Sequence, residues 1–295
     1  MSRVLVWVAA AVVLGSPAAD TAAGVRTPTT VQHVTLIGDS VADAVVETST
    51  ALAEARREIS LELQVAPCRR VAGQSCPYNG VTPPNVIDLV HSLGSQLGPN
   101  VVVAVGYNDH EDSYPQDIDD AVNALESEGV KRVFWLTLRA ARHPYLTMND
   151  AIEALPSQHS EVSVIDWNVY SRSHPEWFQS DGVHLTGAGA QAMATLIHKS
   201  LEAAGIAAPD VRVRTSSLPI ARRGAPYSAR LLGAAGIAPY RWSLLERAPA
   251  GLHLEPGGVV HGRPSVAAGA YTFDVRVTDA TNTSTTRRLT LHVKR

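Results

Sequence analysis

Between residues 33 and 204, short apolar runs alternate with segments long enough to be helices, and this alternation limits the fold more than any other feature. "HVTLIG" (33–38), "LELQVA" (61–66), "VVVAVG" (101–106), "RVFWLTL" (132–138) and "VSVIDW" (162–167) read as strands. The Ala-rich "VADAVVETSTALAEARREIS" and the stretches 84–97, 115–128, 148–158 and 187–204 read as the helices between and after them. Residues 101–106 are apolar without interruption, as a strand covered on both faces should be. Five such units predict an α/β domain with a parallel sheet and helices on both faces. Ligands bind such sheets beyond the carboxyl ends of the strands.

After "AAGIAAPD" the texture changes. Residues 211–295 hold no long helical pattern; "YRWSLL", "YTFDVRVTDA" and "RRLTLHV" alternate apolar and polar positions between Gly/Pro turns. This spacing predicts an all-β sandwich over 210–295, with Trp242, Tyr271 and Phe273 in its core. The α/β domain then occupies 24–209. Ahead of it, "MSRVLVWVAAAVVLGSPAADTAAG" has one Arg, a short apolar run and then small residues, the pattern of a secretory signal peptide over 1–23. Cleavage after Ala18 or Ala23 fits; an uncleaved anchor is the alternative reading. Once the signal is removed, no transmembrane segment is expected. The chain is therefore expected outside the cell or in the cell envelope.

In an exported chain the two cysteines, Cys68 and Cys76, are expected to form one local disulfide, with free thiols as the alternative. No His, Cys or Asp lies between them, so they do not read as a metal site. The formal charge of −3 gives no general affinity for polyanions, and nucleic acid is excluded as a partner class. Oligomeric state is not legible in the sequence.

Three strand ends carry the chemistry. The first runs into "GDS", placing Asp39 and Ser40 at a helix start, where backbone N–H groups can hold an oxyanion. A Ser there is also an ordinary helix cap. The third runs into "GYNDHED", where Asn108 either tolerates a left-handed turn or offers its amide to a negative oxygen. After the fifth, "SDGVHLTGAG" sets Asp181 three residues before His184. Asp181 can simply open a turn with Gly182, and Thr186 can cap the helix beginning at Gly187. All three segments leave the same sheet edge, so a hydroxyl, an amide donor and an acid–imidazole pair converge on one crevice. His110, Glu111 and Asp112 have no ligand spacing and read as a solvated loop. Trp135 reads as core, whereas Trp167 and Trp177 lie nearer the active edge.

"GDS", "GYND" and "DGVHLT", in this order, resemble the three motif blocks of the SGNH hydrolases, the GDSL esterase/lipase superfamily, over residues 33–204. "CRRVAGQSC" and "DWNVYSRSHPEWFQSDGVHLT" are also similar to secreted or acyltransferase-linked bacterial SGNH domains. The GxSxG elbow of α/β-hydrolases is absent. The resemblance implies a three-layer α/β/α flavodoxin-like fold. It gives Ser40 as nucleophile, His184 as general base and then acid, and Asp181 as the residue orienting the imidazole. The oxyanion hole would comprise the Ser40 N–H, a glycine N–H and the Asn108 side chain; Gly80 fits the family's spacing better than Gly73. One such donor is worth about 3 kcal/mol in the transition state.

"LPIARRGAPYSARLLGAAGIAPYRWSLL" and "AGAYTFDVRVTDA" resemble Ig-like (cadherin-like) domains of bacterial surface proteins, which are spacers or adhesion units and here would engage a cell-surface glycan. Asp274 and Asp279 could ligate calcium, but strand-edge carboxylates are mostly solvated. Together the resemblances imply a secreted serine esterase acting on O-acyl esters of carbohydrate or envelope glycan, with lipid esters second. Neither a metal nor an organic cofactor is needed for that chemistry. The rival reading is a non-catalytic surface-binding protein on the same scaffold.

Overall fold

The computed structural model describes residues 30–141 and 143–295, so the expected signal peptide lies outside the described residues. Five parallel strands, β1 (Gln32–Gly38), β2 (Ile59–Val65), β3 (Asn100–Ala104), β4 (Arg132–Leu136) and β5 (Val162–Ile165), form one sheet in the order β2-β1-β3-β4-β5. The flavodoxin-like order reverses direction between β1 and β3, and that switch point is where a crevice opens. Every residue of β3 is buried, as its uninterrupted apolar sequence requires.

Among the described residues, seven α-helices complete the α/β half: α1 (Ser40–Glu47), α2 (Ser49–Ala55), α3 (Val86–Leu93), α4 (Tyr114–Ser127), α5 (His143–Gln158), α6 (Trp167–Ser171) and α7 (Gly187–Ala203). Contacts of α7 with α1 and α2, and of α4 with α3 and α5, divide them between the two faces. The helix expected over the Ala-rich stretch is broken at Thr48, whose backbone is extended (ψ 105°). Threonine after two β-branched valines is a poor interior residue and a good boundary. The 84–97 segment stops being α-helical at Gly94, where φ is +52°, and continues as a 3₁₀ turn to Leu97. The short α6 was not legible; Asp166 caps it by accepting from the Val169 N–H at 2.9 Å.

The remaining strands are β6 (Arg212–Val213), β7 (Ala221–Arg222), β8 (Tyr227–Arg230), β9 (Gly233–Ala234), β10 (Arg241–Leu244), β11 (Leu252–Leu254), β12 (Val259–Gly262), β13 (Gly269–Thr278) and β14 (Ser284–Lys294). Sheets β10-β13-β14-β7 and β11-β12-β8 enclose a core of their own, separate from the α/β core. Trp242 and Phe273 are buried in it and Tyr271 packs at its margin.

The loop between α2 and β2 meets this second unit. Arg57 bonds Asp210 at 2.5 Å. Glu58, in the left-handed region at φ +61°, is buried against Asp279. Burial, then the Asp279 carboxylate, pushes Glu58 up to about 7, and neither of its oxygens makes a well-formed hydrogen bond. Asp279 is not the solvated carboxylate expected of a strand edge. It is buried and accepts from the N–H groups of Ile237, Thr281 and Thr283. Asp274 pairs with Arg288 at 2.9 Å. Among the described residues, no helix is long and apolar enough to cross a membrane.

Candidate active site

Ser40 begins α1 directly after β1. The turn is set by Asp39, the helix N-cap, whose Oδ1 accepts from the Val41 N–H at 2.9 Å. Gly38 lies opposite Ala104 at the end of β3, so the segments after β1 and β3 emerge side by side. Asp39 fastens them together: its Oδ2 accepts from the N–H groups of Gly106 (3.2 Å) and Tyr107 (3.3 Å). Burial, against those three N–H bonds, raises the Asp39 carboxyl to about 6. Gly106 has φ +156°, and a Cβ there would stand 2.6 Å from the Tyr114 hydroxyl, so glycine is required.

Ser40 Oγ lies 3.0 Å from His184 Nε2, and His184 Nδ1 lies 2.6 Å from Asp181 Oδ2. With Nδ1–H donating to the carboxylate, Nε2 is left to accept from the serine hydroxyl. The hydrogen bond from His184 is the main cause holding Asp181 down to about 2. The bland roles coexist with this relay. Asp181 Oδ1 closes the turn by accepting from the N–H groups of Val183 (2.9 Å) and His184 (3.0 Å), while Thr186 caps α7 through the Gly189 N–H. Asp181 therefore uses one oxygen to shape its loop and the other to hold the imidazole.

The loop carrying these residues is braced from below. Gln179 N–H donates to the His184 carbonyl at 2.7 Å, Thr186 N–H to the Trp177 carbonyl at 2.9 Å, and Phe178 bridges Leu185. The Trp177 indole stacks with His174 (3.8 Å) and with the buried Trp167 (5.9 Å). Packed in this ring cluster, it braces the loop. Arg139 lies over Phe178, 3.6 Å from the ring centre. Trp135 is fully buried, as expected of core.

Asn108 donates one amide hydrogen to the Arg69 carbonyl at 3.2 Å, leaving its second for another acceptor. Arg69 is itself buried, with Nε on the Gly38 carbonyl and Nη1 on the Pro84 carbonyl. The adjoining Cys68 is joined to Cys76 by a disulfide. Asp109, raised to about 7 by burial, accepts from the Val71 N–H at 2.9 Å and pins the same loop. Gly80 (φ +79°) follows Asn79 in the tight turn between Tyr78 and Val81. Gly73 lies in a separate depression with Arg70, Asp109 and His110, where Arg70 Nη2 meets His110 Nε2 at 3.1 Å. Glu111 and Asp112 sit in the loop just before α4.

Above Ser40 and His184 runs a shallow groove of about 350 Å³, walled by Asp43, Ala44 and Glu47 on α1, by Pro67 and Tyr78 of the disulfide loop, and by Gln179 and Leu185. The roles of Asp39, Arg69 and Tyr78 here were missed in the sequence. Asp39 could have been found from its N-cap position; Arg69 and Tyr78 depend on how the disulfide loop folds back.

Residues 209–294 match the protein-family model described as "Putative Ig domain". An O-acetyltransferase OatA of Staphylococcus aureus (strain NCTC 8325 / PS 47) is 32% identical over 108 residues, which is 37% of this chain and 17% of that protein. The chain thus spans about a sixth of the length of the curated relatives it matches. The solved C-terminal catalytic domain of Streptococcus pneumoniae peptidoglycan O-acetyltransferase A is 21% identical, covering 59% of this chain and 94% of that one, with a TM-score of 0.46. A carbohydrate esterase family 3 structure from Talaromyces cellulolyticus is 17% identical, covering 60% and 98%, with a TM-score of 0.40. This chain is thus an α/β unit built on a five-stranded parallel sheet, joined to a strand-rich unit that matches a putative Ig domain over residues 209–294.

Proposed function

We propose that the protein is an exported serine esterase that transfers the acyl group of O-acyl esters of carbohydrate or cell-envelope glycan through an acyl-enzyme on Ser40. The observation that carries this reading is the continuous relay from Ser40 Oγ through His184 to Asp181. Ser40 Oγ attacks the ester carbonyl while His184 Nε2 takes its proton. Asp181 stabilises the imidazolium that forms. The tetrahedral oxyanion is met by the Ser40 N–H and the free Asn108 amide hydrogen, with Gly80 the expected third donor from the disulfide loop. His184 then returns its proton to the leaving sugar hydroxyl. Water, deprotonated by His184, releases the acid and restores Ser40.

Two further observations favour a glycan ester over a lipid ester. The groove is shallow and bordered by Asp43 and Glu47 rather than by an apolar tunnel. The Tyr78 ring, 52% exposed on its wall, offers a face for a sugar ring. The name of the S. aureus relative supports a second outcome from the same acyl-enzyme, in which a glycan hydroxyl replaces water as acceptor. The Ig-like module would hold the enzyme on envelope material.

The test is a panel of p-nitrophenyl esters and acetylated glycans, with and without an unacetylated glycan acceptor. A serine-directed phosphonate should label Ser40, and Ser40→Ala should abolish labelling, hydrolysis and transfer. Full activity in purified Ser40→Ala protein would remove the assignment. Binding to envelope material that survives while no ester is cleaved would support the non-catalytic rival.

A further inference from the structure

At the amino edge of the sheet, opposite Ser40, three elements bring ligand atoms together. Glu126 lies in the last turn of α4, His159 follows α5, and Glu161 precedes β5. One ligand atom from each lies within 4.8 Å of the other two. His159 Nδ1 faces Glu161 Oε1 at 3.6 Å and Glu126 Oε1 at 3.8 Å, too far for a hydrogen bond to either. The His159 side chain is only 9% exposed. Glu161 Oε1 is likewise shut off from solvent and makes no hydrogen bond. The other ring nitrogen, Nε2, is held by Asp119 Oδ1 at 2.8 Å.

We propose that Glu126, His159 and Glu161 bind a divalent transition-metal ion of the zinc class, with water as the fourth ligand. Zinc takes imidazole nitrogen and carboxylate oxygen at about 2.0–2.2 Å, which sets tetrahedral ligands roughly 3.4 Å apart. The His159–carboxylate separations need only a small contraction to reach that value. Asp119 supplies what a metal-bound imidazole requires on its far side: a carboxylate that takes the Nε2–H, fixes the tautomer and turns Nδ1 toward the ion. An imidazolium shared among the carboxylates is the competing account of these atoms. It would draw Nδ1–H into hydrogen-bonding distance of Glu126 or Glu161, and neither is that close. Glu126, 41% exposed, gives the ion a route in from solvent. The carbonyl ends of α4 and α5 point toward the same place and favour a cation. The ion would cross-link the ends of these helices to the start of β5, remote from the acyl-transfer chemistry.

The experiment uses the full chain, stripped with a chelator and titrated with zinc in competition with a chromophoric chelator. One equivalent should bind. Glu161→Gln and His159→Gln should weaken that binding at least hundredfold, and Asp119→Asn by tenfold to a hundredfold. Zinc should raise the Tm of the stripped protein but not that of Glu161→Gln, whose ester hydrolysis in metal-free buffer should match the unsubstituted protein. Should the variants fail to fold, Co²⁺ added to the unsubstituted protein gives a second reading: intense visible bands of a tetrahedral site are expected. No stoichiometric binding, binding equal in Glu161→Gln, or a weak octahedral Co²⁺ spectrum would each overturn the proposal.

Discussion

Asp39 and Gly106 are joined by a hydrogen bond that spans the switch point of the sheet, from the carboxylate before the nucleophile to the backbone before Asn108. Two separately coded motifs are thereby held as one object. Replacing Asp39 with Ala strands two buried N–H groups and a partly buried third, and should cost about 3–5 kcal/mol of stability. The native state binds the Asp39 proton more tightly than the unfolded chain does, since burial lifts it from 3.8 to about 6. Its contribution is therefore full below pH 3.8 and is lost as pH rises through about 6, on the order of 3 kcal/mol. Urea unfolding at pH 4, 5, 6 and 7 should show that Asp39→Asn, which cannot titrate, lacks this part of the slope. Parallel curves for the two proteins would refute the linkage.

Asp181→Asn should lower kcat by roughly 10²–10⁴, because the amide cannot hold the Nδ1–H tautomer as a carboxylate does. Both partners are partly exposed, Asp181 at 38% and His184 at 43%, so the smaller end of that range is expected and little stability is involved. Such stability as the pair gives is present above pH 3.8 and disappears as pH falls through about 2. Steady-state kinetics on one p-nitrophenyl ester decides it; a deficit under threefold would contradict the relay.

The groove wall carries Asp43 and Glu47 side by side, and burial followed by repulsion from Glu47 raises the Asp43 carboxyl. Anionic esters should therefore react more slowly than neutral ones of the same acyl chain. Asp43→Asn with Glu47→Gln should raise kcat/KM for a negatively charged ester several-fold and leave a neutral ester nearly unchanged. The gap should close with added salt. Equal effects on both substrates would mean the carboxylates do not face the substrate.

The Cys68–Cys76 bridge is expected to lower the intact mass by about 2 Da relative to the reduced protein. Closing so short a loop stabilises by about 2.5 kcal/mol in the chain-entropy account. Its larger effect should be on rate, because Arg69 beside it accepts the hydrogen bond that orients Asn108. Ala at both cysteines should lower kcat more than tenfold while the protein remains folded by circular dichroism. A double variant at full rate would detach the loop from the chemistry.

A chain ending at Pro209 should fold and cleave small esters near the full-length rate, because the two cores are separate and the relay lies wholly in the first. It would leave Glu58 without its Asp279 neighbour. In the full chain, protonated Glu58 favours the contact: the effect is complete below pH 4.5 and lost as pH rises through about 7. Glu58→Gln should therefore raise the Tm of the full chain above pH 7 but not below 4.5, and should shift the truncated chain's Tm at neither pH. Truncated protein that is folded yet inactive would show that the Ig-like module completes the site.

Periodicity made the sheet legible, because a strand buried on both faces has little freedom in composition, as 101–104 show. The relay was legible because each member follows a strand end, where a parallel sheet offers only one crevice. What escaped was set by contacts between distant segments. The break at Thr48 and the left-handed Glu58 belong to a connection whose shape depends on β2 and on the second module. Glu126, His159 and Glu161 show no ligand spacing, since they come from the ends of two helices and the start of a strand. Trp177 near the active edge suggested a ligand face; its stacking with His174 and Trp167 depends on segments whose approach no local pattern encodes.

That stack has a consequence for how the reaction begins. A histidine on a loose surface loop must be collected from many orientations each time a substrate arrives, and the lost entropy enters every turnover. Here the rings beneath Phe178, the carbonyl of Trp177 and the cap at Thr186 fix the loop as the chain folds. The base stands ready before any ester binds, so the ordering that remains belongs to the substrate alone. Selectivity among esters must then come from how well each acyl group and alcohol fits the groove beside a base already in place.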